Sequence, residues 1–249
     1  MESELSIKLE NFRAKVAKAG EDVVFRQFPR KIIELSDLVD AFDSPASPFH
    51  SSNALRQTDT TVYPPPAQYF EGFQGKKRKL DDAELNAELQ KHVSEHPKYP
   101  ELVKANEHLT TKIHPIIKKE SEELAQLVEH VRLWVTLTLP RIEDGDNFGV
   151  HVQEEVLGEL QRAQESALSL RDVSRQDHLT RAKIGSKLVK YPNLEDYTLA
   201  LRDHDEKQFF VARQSIHDLR SVYASITDMM HKNISKIRVP KNNNSVALY

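Results

Sequence analysis

The chain has 249 residues, 28.6 kDa, a formal net charge of -3, 29% charged residues, 7% aromatics, seven glycines and no cysteine. That length can bury a sizeable core as one large domain or two small ones. The missing cysteine excludes disulfides, a thiol nucleophile and Cys-ligated zinc, and suits a reducing compartment. The charge argues against a bulk nucleic-acid binder, and no apolar run approaches the roughly 20 residues that span a bilayer. Scarce glycine with abundant Leu, Glu, Lys, Ala and Gln points to an all-α protein.

Met1 to Leu5 is acidic, unlike the basic and then apolar start of a secretory signal. From Leu5 through Leu9, Phe12, Val16, Ala19 and Val23, apolar residues recur at threes and fours, which predicts an amphipathic helix. Pro29 interrupts it, but Ile32, Leu35, Leu38 and Phe42 continue the pattern, so the first helix is kinked or restarted there and ends near Asp43. From Asp43 to about Lys79 the period vanishes into Ser-Pro and Tyr63-Pro64-Pro65-Pro66 segments, the composition of a linker. Lys76-Lys77-Arg78-Lys79 near its end reads as a nuclear import signal or a nucleic-acid patch, with a solvated charge run as the plain alternative. Ala83 to His96 is weakly helical. His92 and His96 share an i, i+4 spacing but have no third metal ligand in view and read as solvated histidines.

A second long helix is predicted from about Glu101 to Leu139 on the stripe Ile113, Ile116, Leu124, Leu127, Val131 and Trp134. Pro140 ends it. A third carries Val152, Val156, Leu160, Ala163, Ala167, Leu170 and Val173 to about Val189, and Tyr191-Pro192-Asn193 makes the next turn. The fourth runs from near Leu194 to Pro240 on Ile216, Leu219, Tyr223, Ile226, Met230, Ile234 and Ile237. Four such helices with short later turns predict an up-down-up-down bundle. Its parts are helix 1 over 1–43, an insert over 44–100, helices 2 to 4 over 101–240, and a tail over 241–249.

Residues 140–150 stand out between helices 2 and 3. Glycines at 145 and 149 and three carboxylates at 143, 144 and 146 surround an exposed-looking Phe148, a composition that a plain connector does not need. In the predicted topology this loop shares one end of the bundle with the tail Val246-Ala247-Leu248-Tyr249, an apolar tip on a polar tether whose carboxylate a partner could capture. Asp144-Gly145-Asp146 through Glu155 also matches several positions of a calcium loop, but Phe148 falls where an oxygen ligand belongs. No Walker loop, nucleophile elbow or dinucleotide fingerprint is present, so nothing points to catalysis or a cofactor.

Pro140-Arg141-Ile142-Glu143-Asp144-Gly145, Asn147-Phe148-Gly149-Val150 and Gln153-Glu154-Glu155 together resemble the activation-loop signature of the 11S (REG) proteasome activator family. The likeness extends through Arg181-Ala182-Lys183, Lys190-Tyr191-Pro192, Lys232-Asn233-Ile234 and Leu248-Tyr249, and more loosely over Phe28-Pro29-Arg30-Lys31. Within the family the basic run is similar to the import signal of the gamma type. The resemblance implies a heptameric ring of four-helix bundles, without enzymatic activity or cofactor, that caps the α-subunit ring of the 20S proteasome. Tail residues Val246, Ala247, Leu248 and Tyr249 would dock. Arg141, Glu143, Asp144, Gly145, Asp146, Asn147, Phe148 and Gly149 would form the loop that acts on the gate. It also implies recognition of Lys76, Lys77, Arg78 and Lys79 by a nuclear import receptor, hence a nuclear address with the cytoplasm also open. Relatives generally carry Asn where this chain has Asp146, a change from an amide that donates and accepts to a carboxylate that only accepts. The alternative from another class is a helical scaffolding or calcium-responsive protein that binds partners through its bundle.

Overall fold

A computed structural model describes residues 2–56, 58–64, 101–141 and 147–241. Helix α1 (Glu2–Asp22) passes through one π-helical segment, Val23–Gln27, into α2 (Phe28–Asp40), and a 3-10 turn closes it at Ala41–Asp43. The irregular turn sits directly before Pro29, whose ring and missing N–H cannot join a regular ladder in the preceding turn. The remaining long helices are α3 (His114–Thr138), α4 (Phe148–Lys190) and α5 (Glu195–Arg238). At 44 residues, α5 is roughly 66 Å long and spans the molecule.

The helices alternate in direction. Near one end Glu21 pairs with Arg238 at 2.8 Å, and a Cβ on Gly20 would stand 2.6 Å from Trp134 Cβ, so the Trp134 side chain of α3 packs directly on the backbone of α1 there. Toward the other end Phe28 meets Tyr223 edge-on at 5.5 Å, and Phe42 meets His217. The predicted stripes form the core. Leu124, Val131 and Trp134 on α3, Val156, Leu160 and Ala167 on α4, and Ile216, Leu219, Tyr223 and Met230 on α5 are all buried. The small alanines at 163 and 167 let α4 approach its neighbours closely. Lys31 of α2 reaches across to Glu120 and, at 3.0 Å, Glu123 of α3, a buried cross-link between helices.

Three expectations need correction. The second helix does not begin at Glu101. Leu102–Val103 is instead strand β2, paired antiparallel with β1 (Val62–Tyr63), and a π-helical segment at Leu109–Ile113 leads into α3. Nor is the stretch after Asp43 structureless as far as Pro64. Phe49 is fully buried against Phe42 at 4.9 Å, and His108 donates to the Pro48 carbonyl at 2.7 Å. A single aromatic anchor gives no period, which is why the sequence reads there as linker. Residues 65–100 fall outside the description, and with them His92 and His96. Finally, the apolar stripe of α1 is only half used: residues 4–15 are exposed throughout, including Leu5, Leu9 and Phe12. Trp134 lies level with Gly20, so α3 ends near the level of Val16 and offers nothing to the first turns of α1. Those twelve residues project about 18 Å past it.

Candidate functional site

The end of the bundle that carries α1's projecting turns also gathers the C-termini of α3 and α5 and the N-terminus of α4. The two C-termini are built alike. Thr138 and Arg238 are the last helical residues, and Pro140 and Pro240 each follow two positions later, where proline cannot continue a helix. The chain beyond Pro140 is the loop, and the chain beyond Pro240 is the tail.

The final carbonyls of a helix have no partner inside it. Gln153, fully buried in the second turn of α4, supplies one to both helices at once. Its Nε2 donates to Ile237 O of α5 at 2.8 Å, and toward α3 it lies 3.3 Å from Thr138 Oγ1 and 3.5 Å from Thr138 O. Because both carbonyls can only accept, they fix which end of the amide faces them. The other end, Oε1, is buried without a hydrogen-bond partner, at a cost on the order of 1–3 kcal/mol.

Two further ties join loop and tail. A Cβ on Gly149 would fall 2.7 Å from Pro240 Cα and closer still to its carbonyl oxygen, so the residue after Phe148 must be glycine for the tail root to lie where it does. Lys241 Nζ is 3.4 Å from the carbonyl of Arg141, linking the residues that follow the two prolines.

Of the loop residues singled out in the sequence, Arg141 and Asn147 are exposed, Phe148 is 64% exposed with Lys236 Nζ 5.7 Å from its ring centre, and Gly149 is buried. Asn147 precedes the first residue of α4 and its carbonyl accepts from His151 N at 2.9 Å. Glu143, Asp144, Gly145 and Asp146 lie outside the described residues, as do the tail residues Val246, Ala247, Leu248 and Tyr249 and the basic run Lys76, Lys77, Arg78 and Lys79. Glu155, the last ligand a calcium loop would require, sits on α4 with its carboxylate 3.4 Å from His151. Among the described residues no group of three or more His, Asp or Glu side chains is arranged to hold a metal ion, and no helix is long and apolar enough to cross a membrane.

Gln153 escaped sequence reasoning, where it figured only as part of a resemblance. A faint signal was available: it is a polar residue lying between Val152 and Val156 near the apolar stripe of its helix. The chemistry this end offers is positional. It holds the roots of two chain segments beside one another and presents an exposed aromatic ring, Phe148, at the same end.

Comparison with known proteins agrees along the whole chain. Residues 102–247 match the family described as Proteasome activator PA28, C-terminal, and residues 3–43 match Proteasome activator PA28, N-terminal. The chain is 35% identical over 258 residues to Proteasome activator complex subunit 3 of Pongo abelii, covering 100% of this chain and 98% of that protein. It is 34% identical to the Homo sapiens protein of the same name, with the same coverage. Among solved structures it is similar to the 11S subunit of the Plasmodium falciparum proteasome, PA28, with a TM-score of 0.73, 28% identity, and coverage of 96% of this chain and 95% of that one. The Pongo abelii and Homo sapiens relatives are named as subunits of a proteasome activator complex. With both family regions matched in order around a four-helix bundle whose loop root and tail root meet at one end, the chain belongs to the PA28 (11S) family of proteasome activators.

Proposed function

We propose that this protein is a non-enzymatic, ATP-independent activator of the 20S proteasome that works as a heptameric ring. Its C-terminal residues dock on the proteasome's α-subunit ring, and its loops around Asp144 to Phe148 act on the gate. The observation that carries this reading is the shared end of the bundle: the loop root at Pro140–Arg141 and the tail root at Pro240–Lys241 are tied through Gln153, Gly149 and Lys241. A tail of a few residues binds weakly alone, but seven displayed by one ring act at an effective concentration on the order of millimolar. Docking energy supplied by the tails leaves the loops free to favour the open gate over the closed one, the differential contact that any population shift needs. In this reading no step consumes ATP and no side chain of the activator performs chemistry. A nuclear address follows if an import receptor reads Lys76, Lys77, Arg78 and Lys79.

The test is hydrolysis of a short fluorogenic peptide by latent 20S proteasome. The full-length protein should stimulate it strongly, and the same protein lacking Leu248 and Tyr249 should not. Absence of stimulation by the full-length chain, or stimulation indifferent to the deletion, overturns the proposal. Native mass spectrometry should find seven copies per ring.

A further inference from the structure

We propose that Gln153 is a positioning residue that locks the root of the loop to the root of the tail, so that docking of the tail places the loop. The inference rests on the activator reading above and assigns to it a residue that touches neither partner nor substrate.

The geometry makes Gln153 a joint between three helix ends. Its amide hydrogens reach the last turn of α5 at Ile237 O and the last residue of α3 at Thr138. Tail and loop each begin within four residues of those acceptors. Gly149, one helical turn before Gln153, seats the Pro240 backbone directly on α4. Any displacement of the tail root is therefore resisted by α4, the helix from which the loop returns. Without the joint, the two segments would be held to one another only by the Gly149–Pro240 contact and the exposed Lys241–Arg141 bond, neither of which caps the ends of α3 and α5, and binding at one would constrain the other far less.

The amide stabilises the fold only modestly, because its own Oε1 is buried and unpartnered. An apolar side chain of similar size would relieve that orphan while leaving two carbonyls uncapped, a net change of one unpaired group. Leucine at this position should therefore still fold while losing the joint. The link is also neutral, so it keeps its strength as salt and pH change around the docking face.

The experiment compares the wild-type ring with Gln153→Leu, titrating each into latent 20S proteasome and reading two quantities: the maximal stimulation of peptide hydrolysis and the activator concentration giving half of it. Gln153→Leu is expected to lower the maximum at least fivefold while the half-maximal concentration stays within threefold of wild type, because the tails still dock but the loops are no longer placed. The chain contains no cysteine, so Arg141→Cys with Lys241→Cys can be introduced into the Gln153→Leu protein and joined by a short bis-maleimide. Restoring the loop–tail link in this way should recover most of the lost maximum. A Gln153→Leu ring that stimulates like wild type overturns the inference. So does a changed half-maximal concentration with an unchanged maximum, which would mark an effect on docking alone. Loss of the ring itself, with no recovery on cross-linking, would show Gln153 to be merely structural. If the wild-type ring gives no stimulation, it is the activator reading that fails, not the joint.

Discussion

Both ends of the bundle are held by buried polar side chains, but of opposite kinds. At the loop–tail end one neutral amide, Gln153, bridges two helix termini with hydrogen bonds. At the far end the linkers are charged. Asp205, fully buried on α5, accepts from Arg181 of α4 at 2.9 Å, from Asn106 at 2.9 Å and from Thr58 at 3.0 Å, while Arg181 also donates to Lys104 O at 2.7 Å. One turn from Arg181, Asp177 accepts from His204 at 2.8 Å and lies 3.5 Å from His114. The far end must pin down segments distant in sequence, residues 58–63 and 101–106, against two helices. Buried charges do that with strong, directional bonds, but they fail badly when one partner is lost and some of them titrate. The loop–tail end has helix termini to cap, and its buried link, Gln153, does so without charge, the cation of Lys241 lying at the surface.

The largest expected effect is at Asp205. Replacing it with alanine leaves the Arg181 guanidinium, 9% exposed, without its counter-ion, and should cost about 3–5 kcal/mol. Gln153→Leu should cost about 1 kcal/mol, the net worth of ordinary hydrogen bonds. Urea denaturation of the two variants measures the contrast directly, and equal losses would break it. Removing both charges together, Arg181→Met with Asp205→Leu, should recover a good part of what Asp205→Ala loses, since the buried guanidinium then goes with its partner.

A smaller effect separates the ends by pH. His114 is buried at the start of α3, and this burial holds its pKa below the ordinary value of 6.5. Asp177 pulls the other way without prevailing, and His178 and Lys118 add to the depression. As the pH falls, the folded imidazole therefore takes up its proton later than the unfolded chain does. That difference raises the stability with pH below about 6.5 and leaves it flat above. The urea midpoint should fall between pH 7 and pH 5.5, and the part due to this site should vanish in His114→Gln. An unchanged pH slope in that variant would remove His114 as the cause. Gln153 contributes nothing to the slope, so any pH sensitivity of the loop–tail end must come from elsewhere.

Periodicity made the bundle legible, because the residues that recur at threes and fours on α3, α4 and α5 are the ones that a helical face must bury. Trp134, Tyr223 and Met230 could be placed in the core from spacing alone. The loop and tail were marked by proline, glycine and topology, which placed them at a common end before any contact was seen. What stayed hidden depends on pairs far apart in the chain. Gln153 meets Ile237 across 84 positions, Asp205 meets Thr58 across 147, and neither partner carries a local pattern that names the other. The antiparallel pair Val62–Val103 is too short to show an alternation, and Phe49 is one aromatic residue among serines and prolines.

The smallest expected effect on the bundle concerns α1, where the sequence pattern outruns the packing. Leu5, Leu9 and Phe12 continue the stripe of Val16 and Val23, yet they are about half or more exposed because α3 ends before reaching them. An apolar side chain that stays in water contributes little to folding. Changing all three to serine should therefore move the unfolding free energy of the single bundle by no more than about 0.5 kcal/mol per site. Three helical turns without a packed face are marginal in water, so amides of residues 4–15 should exchange with solvent far faster than those around Gly20 when the protein is dilute and unassembled. If instead the triple variant is as damaged as Asp205→Ala, the stripe is covered within one chain and the projection of α1 is wrong. If residues 4–15 become protected only when copies assemble, and the triple variant loses that protection, then the unused half of the stripe is an assembly surface at the same end as the loop and the tail.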